Sequence, residues 1–193
     1  MLTAPNQLTL LRMVFIPFIV LSLTEEYYRL ALVLLVIAGL TDLFDGYLAR
    51  KLHQQTRIGQ YLDPIADKLL LSTLFMVLAI LHLIQWRFTV VVFSRDIGIL
   101  GVSAVLYATA GLRDFRPSIF GKVNTLSQIA AVFFVMLYLV VAARWVLFGK
   151  MFFLWMTFAF TILSALHYVI LVGQRMRALG AEHDGPREIQ PAA

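Results

Sequence analysis

The chemistry open to this sequence lies in its carboxylates. Asp42 and Asp45 stand three residues apart, and Asp63 and Asp67 four apart, in a chain that is 61% hydrophobic and only 14% charged. On a helix, each spacing puts both members on one face. Ionisable groups beside apolar spans usually mark a functional site. Two such pairs on neighbouring helices would present four carboxylates to one point, where they repel unless a hard divalent cation sits between them. Gly46 and Gly59 remove side chains nearby and let a ligand or a second backbone come close. Arg50 adds a planar fork of donors suited to phosphate. Metal, phosphate and space for a ligand are implied together. Acids and bases at span ends also serve as interfacial anchors, but anchoring does not require this spacing.

From Asp42 to Asp67 the chain follows the pattern D-x-x-D-G-x-x-A-R-x8-G-x3-D-x3-D at every fixed position. This pattern resembles the signature of the CDP-alcohol phosphatidyltransferases, integral membrane enzymes of phospholipid synthesis, and the likeness covers nearly the whole chain. The resemblance implies an all-α membrane fold of six transmembrane helices with a two-metal site on the cytoplasmic side. It implies that Asp42, Asp45, Asp63 and Asp67 hold the metals. Asp67 is then either the general base that takes the proton of an acceptor alcohol or one more ligand. Asp42, Gly46, Ala49, Arg50 and Gly59 match the positions that bind the CDP portion of CDP-diacylglycerol. Magnesium or manganese suits such an all-oxygen site, whereas zinc would recruit His or Cys. His53 reads as a solvated loop residue, His82 and His167 as interfacial or core, and His183 as part of a tail. The stretch from Pro5 to Arg12 resembles the opening of the anionic phospholipid branch. Asn6 and Arg12 would there reach the nucleotide phosphates, and a helix cap with an interfacial anchor fits the same residues equally.

The acceptor side belongs to the second half. Ser94-Arg95-Asp96 puts a charge pair inside the fourth span, and Pro117 to Thr125 opens the fifth. Arg95, Arg116 and Lys122 would form a basic pocket suited to an acceptor phosphate. In the plainer alternative Arg95 is neutralised by its neighbour and Lys122 is an anchor. Phosphatidylglycerophosphate synthases tend to carry R-E, a further Arg downstream, and G-K-x-K-T. This chain has Arg95-Asp96, Ser103, and Gly121-Lys122-Val123-Asn124-Thr125. Two positive charges are missing from where a dianionic glycerol phosphate would be gripped. The combination, with Gly39 to Gly46, resembles the CDP-alcohol type of cardiolipin synthase, whose acceptor phosphatidylglycerol carries a single negative charge. Transfer to phosphatidylglycerol, giving cardiolipin and CMP, is the leading reading. Transfer to glycerol 3-phosphate is the runner-up.

These residues need elements to hold them. With 193 residues and a mean hydropathy of +0.84, the chain has room for several spans and no sizeable soluble domain. Spans are expected near 8–23, 30–52, 58–84, 88–110, 119–143 and 151–175, in one membrane domain over residues 1–177. A polar, disordered tail is expected over residues 178–193. Breaks are expected at Thr24-Glu25-Glu26, His53-Gln54-Gln55, Gln85-Trp86-Arg87, Gly111 to Pro117, and Gly149-Lys150. Pro64 either opens the third span in its first turn or kinks it. Arg12 and the closeness of the second span argue against a cleaved signal peptide. With the N-terminus inside, Arg12, Arg50, Lys51, Arg57, Lys68, Arg113, Arg116, Lys122, Arg175, Arg177 and Arg187 fall on the cytoplasmic side. Only Arg29, Arg87, Arg144 and Lys150 fall outside, so both termini and the aspartates face the cytoplasm. A bacterial inner membrane is the expected location. The net charge of +5 then describes a basic membrane rim facing lipid headgroups, with no nucleic-acid partner. The absence of cysteine excludes disulfides and thiolate metal sites. An ion-coupled transporter would want broken helices and an internal repeat, and neither is visible. Gly98, Gly101, Ala104 and Ala108 could pack helices tightly or support a homodimer.

Overall fold

The computed structural model describes residues 4–51, 57–110 and 119–183, which are helical with short turns. Six helices follow in order: α1 (Ala4–Thr24), α2 (Tyr28–Lys51), α3 (Arg57–Ile80), α4 (Trp86–Ala110), α5 (Ile119–Val140) and α6 (Arg144–His183). Three turns, over residues 25–27, 81–85 and 141–143, reverse the chain between α1 and α2, α3 and α4, and α5 and α6. The α3 terminus shows how a turn is made without glycine. His82 takes a φ of 57° while its N–H donates to the Ala79 carbonyl at 3.0 Å. The Leu83 N–H donates to the Leu78 carbonyl at 2.9 Å. This pair of bonds around a left-handed residue satisfies carbonyls that the helix end would leave bare. Glu26, with a φ of 62°, ends α1 in a related way through its bond to the Leu23 carbonyl.

Helices α3 and α5 sit in the middle. Helix α1 packs on α2 and α3, α5 packs on α6, α2 and α3, and α4 packs on α3 and α6. Leu74, Phe75 and Leu78 of α3 meet Ile19 and Leu23 of α1, Val132, Val135 and Met136 of α5, and Phe88 and Val92 of α4 in one buried cluster. Phe88 also meets Trp155 and Phe158 of α6 edge to face, with ring centroids 5.7 and 6.1 Å apart. The outside is as apolar as the core. Val14, Phe18 and Leu21 expose one side of α1 at helical spacing, and Phe148, Phe152, Trp155 and Leu166 do so on α6. An outward face of this kind suits lipid rather than water. Gly121–Val140 and Arg144–His167 are long and apolar enough to cross a membrane, while Met13–Thr24, Tyr28–Thr41 and Lys68–Ile80 are shorter apolar stretches.

The structure corrects two sequence expectations and decides between the two readings of Pro64. The break expected at Gly149-Lys150 lies instead at residues 141–143, and both residues belong to α6. Gly149 is buried because α5 comes so close that a methyl group there would overlap the Phe134 ring. Lys150 donates to the Leu83 carbonyl at 3.1 Å and lies over the Tyr138 ring, so its charge ties α6 to the α3–α4 turn. Pro64 lies well inside α3, so it cannot occupy the first turn. It leaves the Gln60 carbonyl without its helical donor. Finally, α6 runs to His183, six residues into the expected tail. Ala178, Leu179, Ala181 and Glu182 favour helix, and the first proline comes only at Pro186. The breaks at His53-Gln54-Gln55 and Gly111 to Pro117 lie outside the described residues, as does the end of the tail. Replacing Gly149 by Leu should cost roughly 1–3 kcal/mol of stability by overpacking the α5–α6 contact. An unchanged thermal midpoint in detergent would show that this contact is loose.

Candidate active site

The signature divides between two helix ends. Asp42, Asp45, Gly46, Ala49 and Arg50 lie in the last turns of α2, and Gly59, Asp63 and Asp67 lie in the first turns of α3. The link between Lys51 and Arg57 is short enough to keep those ends within about 22 Å of each other. Asp45 and Asp63 each stand about 9 Å along the axis from the linked ends, and Asp42 and Asp67 about 14–15 Å. Both helices pack on α1. Asp45 and Asp63 are thus equally far along their helices from the link, and Asp42 and Asp67 nearly so. The side chains of these residues, and of Asn6 and Arg12 in α1, are outside the described set, and Arg116 lies outside the described residues altogether. The donor set is nevertheless uniform in type. Carboxylates suit a hard divalent cation, and no fixed position of the signature is the His or Cys that zinc would favour.

The next residue along α3 is described. Lys68 places its Nζ 3.5 Å from Asp96 Oδ1 on α4, and Asp96 also accepts from Arg95 Nη1 at 2.7 Å. Arg95 Nη2 donates in turn to Ser164 Oγ on α6 at 2.9 Å. One carboxylate and one guanidinium thus link α3, α4 and α6. The side chains of Arg95 and Asp96 are 10% and 14% exposed, whereas that of Lys68 is 41% exposed. The sequence suggests that Arg95 offers its charge to an acceptor, yet two of its nitrogens are occupied and its buried Nε has no partner. Lys122 is exposed on α5, while α4 packs on α3 and α6, so Arg95 is directed elsewhere.

Between α5 and α6 runs a buried polar seam that sequence reasoning misses. Asn124 is fully buried and accepts a hydrogen bond from Thr161 Oγ1 at 2.9 Å. One turn further on, Gln128 and Thr157 are also buried, and Gln128 Nε2 and Thr157 Oγ1 lack partners. In the sequence Asn124 reads as a missing charge in an acceptor pocket. Its side chain instead faces α6, so a lysine here would be buried in the helix pair. Ser103 lies in α4 with its side chain outside the described set. The polar spacing Asn124, Ser127, Gln128 against Thr157, Thr161, Ser164 is the available signal.

A groove of about 590 Å³ opens among Glu26, Tyr27, Tyr28, Arg29, Leu30, Leu139 and Val140. It sits at the start of α2, about 21 Å along the axis from Asp42, so it is separate from the carboxylates.

A family profile described as CDP-alcohol phosphatidyltransferase matches residues 2–172. The chain belongs to the CDP-alcohol phosphatidyltransferases. Membership in this family makes it a membrane transferase related to enzymes of phospholipid synthesis, and its all-helical fold and apolar surface agree. It is 34% identical over 148 residues to a probable cardiolipin synthase (CMP-forming) of Drosophila melanogaster, covering 68% of this chain and 46% of that protein. It is 34% identical over 149 residues to the human cardiolipin synthase (CMP-forming), covering 67% and 48%. It is 35% identical over 147 residues to the CDP-diacylglycerol--glycerol-3-phosphate 3-phosphatidyltransferase of Bacillus subtilis, covering 68% and 75%. The matches span about half the length of the fly and human relatives. Within this phosphatidyltransferase, Thr161→Val should leave a buried Asn124 acceptor unpaired and cost about 1–3 kcal/mol. Thermal unfolding of the purified protein measures it, and a null effect would mean the seam contributes no stability.

Proposed function

We propose that this chain transfers the phosphatidyl group of CDP-diacylglycerol to the hydroxyl of phosphatidylglycerol, giving cardiolipin and CMP, in a bacterial inner membrane with the site facing the cytoplasm. The observation that carries the choice of acceptor is Asp96 standing between Lys68 and Arg95. Asp96 cancels one of the two cations beside it, and Ser103 and Asn124 stand where the glycerophosphate-using branch tends to carry two more, so the acceptor side is poorer in charge than a dianionic phosphate monoester would call for. Attraction scales with the product of charges, so each cation withheld weakens a dianion more than a monoanion. The relatives named for either acceptor are similarly identical, which keeps glycerol 3-phosphate as the second reading.

In this proposal Asp42, Asp45, Asp63 and Asp67 hold two magnesium or manganese ions, which would neutralise the diphosphate and stabilise charge on the departing CMP. Gly46, Ala49 and Gly59 leave clearance for the nucleotide, and Arg50, Asn6 and Arg12 bind its phosphates. Asp67 takes the proton of the acceptor hydroxyl as the oxygen attacks phosphorus. Arg116 and Lys122 form a basic rim that draws the anionic acceptor towards the site, with Arg95 acting through Asp96 and Ser164. Six membrane spans, both termini inside and a homodimer complete the picture. The orientation is supported by the distribution of basic residues.

Three measurements test it. EDTA should abolish transfer, and magnesium or manganese should restore it. Asp67→Asn should lower turnover by about two to four orders of magnitude while CDP-diacylglycerol still binds; equal loss of lipid binding would make Asp67 a ligand only. Product analysis with labelled CDP-diacylglycerol should show cardiolipin from phosphatidylglycerol. If phosphatidylglycerophosphate forms readily from glycerol 3-phosphate and no cardiolipin appears, the acceptor reading fails.

A further inference from the structure

We propose that Lys68 is the cation that takes the phosphate of the anionic acceptor, held ready beside the transfer site by Asp96. The inference rests on the reading of this chain as a phosphatidyltransferase with an anionic acceptor, and names a residue of that same site. Arg95 is the natural candidate from the sequence, but its Nη1 is spent on Asp96 at 2.7 Å and its Nη2 on Ser164 at 2.9 Å. Lys68 differs on each count. It is the more exposed partner of Asp96, and its contact is the longer one, at 3.5 Å. With the ammonium 41% exposed and the contact 3.5 Å long, Asp96 holds Lys68 only weakly, so a phosphate oxygen can replace Asp96 beside it at little cost. The exchange strands no charge, because Asp96 keeps its shorter bond to Arg95. A lone Lys–Asp pair could not do this, since it would leave a bare carboxylate behind.

Position along α3 supports the assignment. Lys68 follows Asp67 directly, so it stands about 100° around the helix from the proposed base and on the side that faces α4. A phosphate held there lies on the flank of the carboxylate face, where an incoming alcohol would approach. The diphosphate of CDP-diacylglycerol offers the same chemistry, so the test must separate the two phosphates.

The full chain in mixed micelles serves, with CDP-diacylglycerol and either phosphatidylglycerol or glycerol 3-phosphate varied in turn. Lys68→Gln should raise KM for the acceptor about tenfold, as expected for losing one charge-assisted hydrogen bond. The KM for CDP-diacylglycerol should stay unchanged and kcat within about threefold, and Lys68→Arg should recover most of the loss. A rise in KM for CDP-diacylglycerol instead, a fall in kcat alone, or no change in either KM would each overturn the proposal. If the wild type uses glycerol 3-phosphate in place of phosphatidylglycerol, the acceptor reading falls while Lys68 is tested unchanged against glycerol 3-phosphate. A wild type that uses neither acceptor overturns both.

Discussion

Asp96 stands where two cations would otherwise face each other across helices of low polarity. Lys68 reaches it from α3 and Arg95 from the adjacent position on α4, and Arg95 carries the connection on to Ser164 of α6. Charge is costly to bury unless it is paired and hydrogen-bonded. This constraint limits how α4 can rotate, because a turn would carry Asp96 away from Lys68 and Arg95 away from Ser164 together. Through Lys68, the residue that follows the signature, it joins α3 to α4.

A second polar constraint acts between α5 and α6. The Thr161–Asn124 bond sets their antiparallel register, and that register brings Phe134 against Gly149 near the turn. It also places Gln128 on the same level as Thr157, where neither Gln128 Nε2 nor Thr157 Oγ1 has a protein partner. Buried water commonly satisfies atoms of this kind. In a mainly apolar interior, these few polar atoms help decide which of many similar helix packings is adopted, since sliding by a turn would break the Thr161–Asn124 bond.

What can be read from the sequence depends on whether the signal is local. The aspartate signature is local and its spacing is fixed, so its two halves can be assigned to neighbouring helices from the residues alone. The turn after Thr24 is legible because Glu25 and Glu26 interrupt an apolar run. The α5–α6 turn is not, because residues 141–143 are Val-Ala-Ala and read as more helix. Gly149 and Lys150 look like punctuation, yet one is a packing contact and the other a tether to the Leu83 carbonyl. Arg95 and Asp96 are adjacent and therefore conspicuous. Lys68 passes as one more inner-side cation, because its partner lies on another helix and only folding brings the two together. Asn124 invites comparison with the lysine that the glycerophosphate-using branch tends to carry there, and burial between two helices has no local signature.

The length of α6 has a mechanical consequence. Its apolar run continues past His167 through Tyr168-Val169-Ile170-Leu171-Val172, and the helix goes on to His183, adding about 15 Å of stiff rod beyond Gly173. The rod is rooted where Ser164 meets Arg95. A tilt of about 10° at that root would sweep His183, about 28 Å along the axis, through roughly 5 Å, since a helix this short behaves as a rigid lever. Small adjustments around Asp96 are thereby magnified into displacements large enough for a spectroscopic ruler.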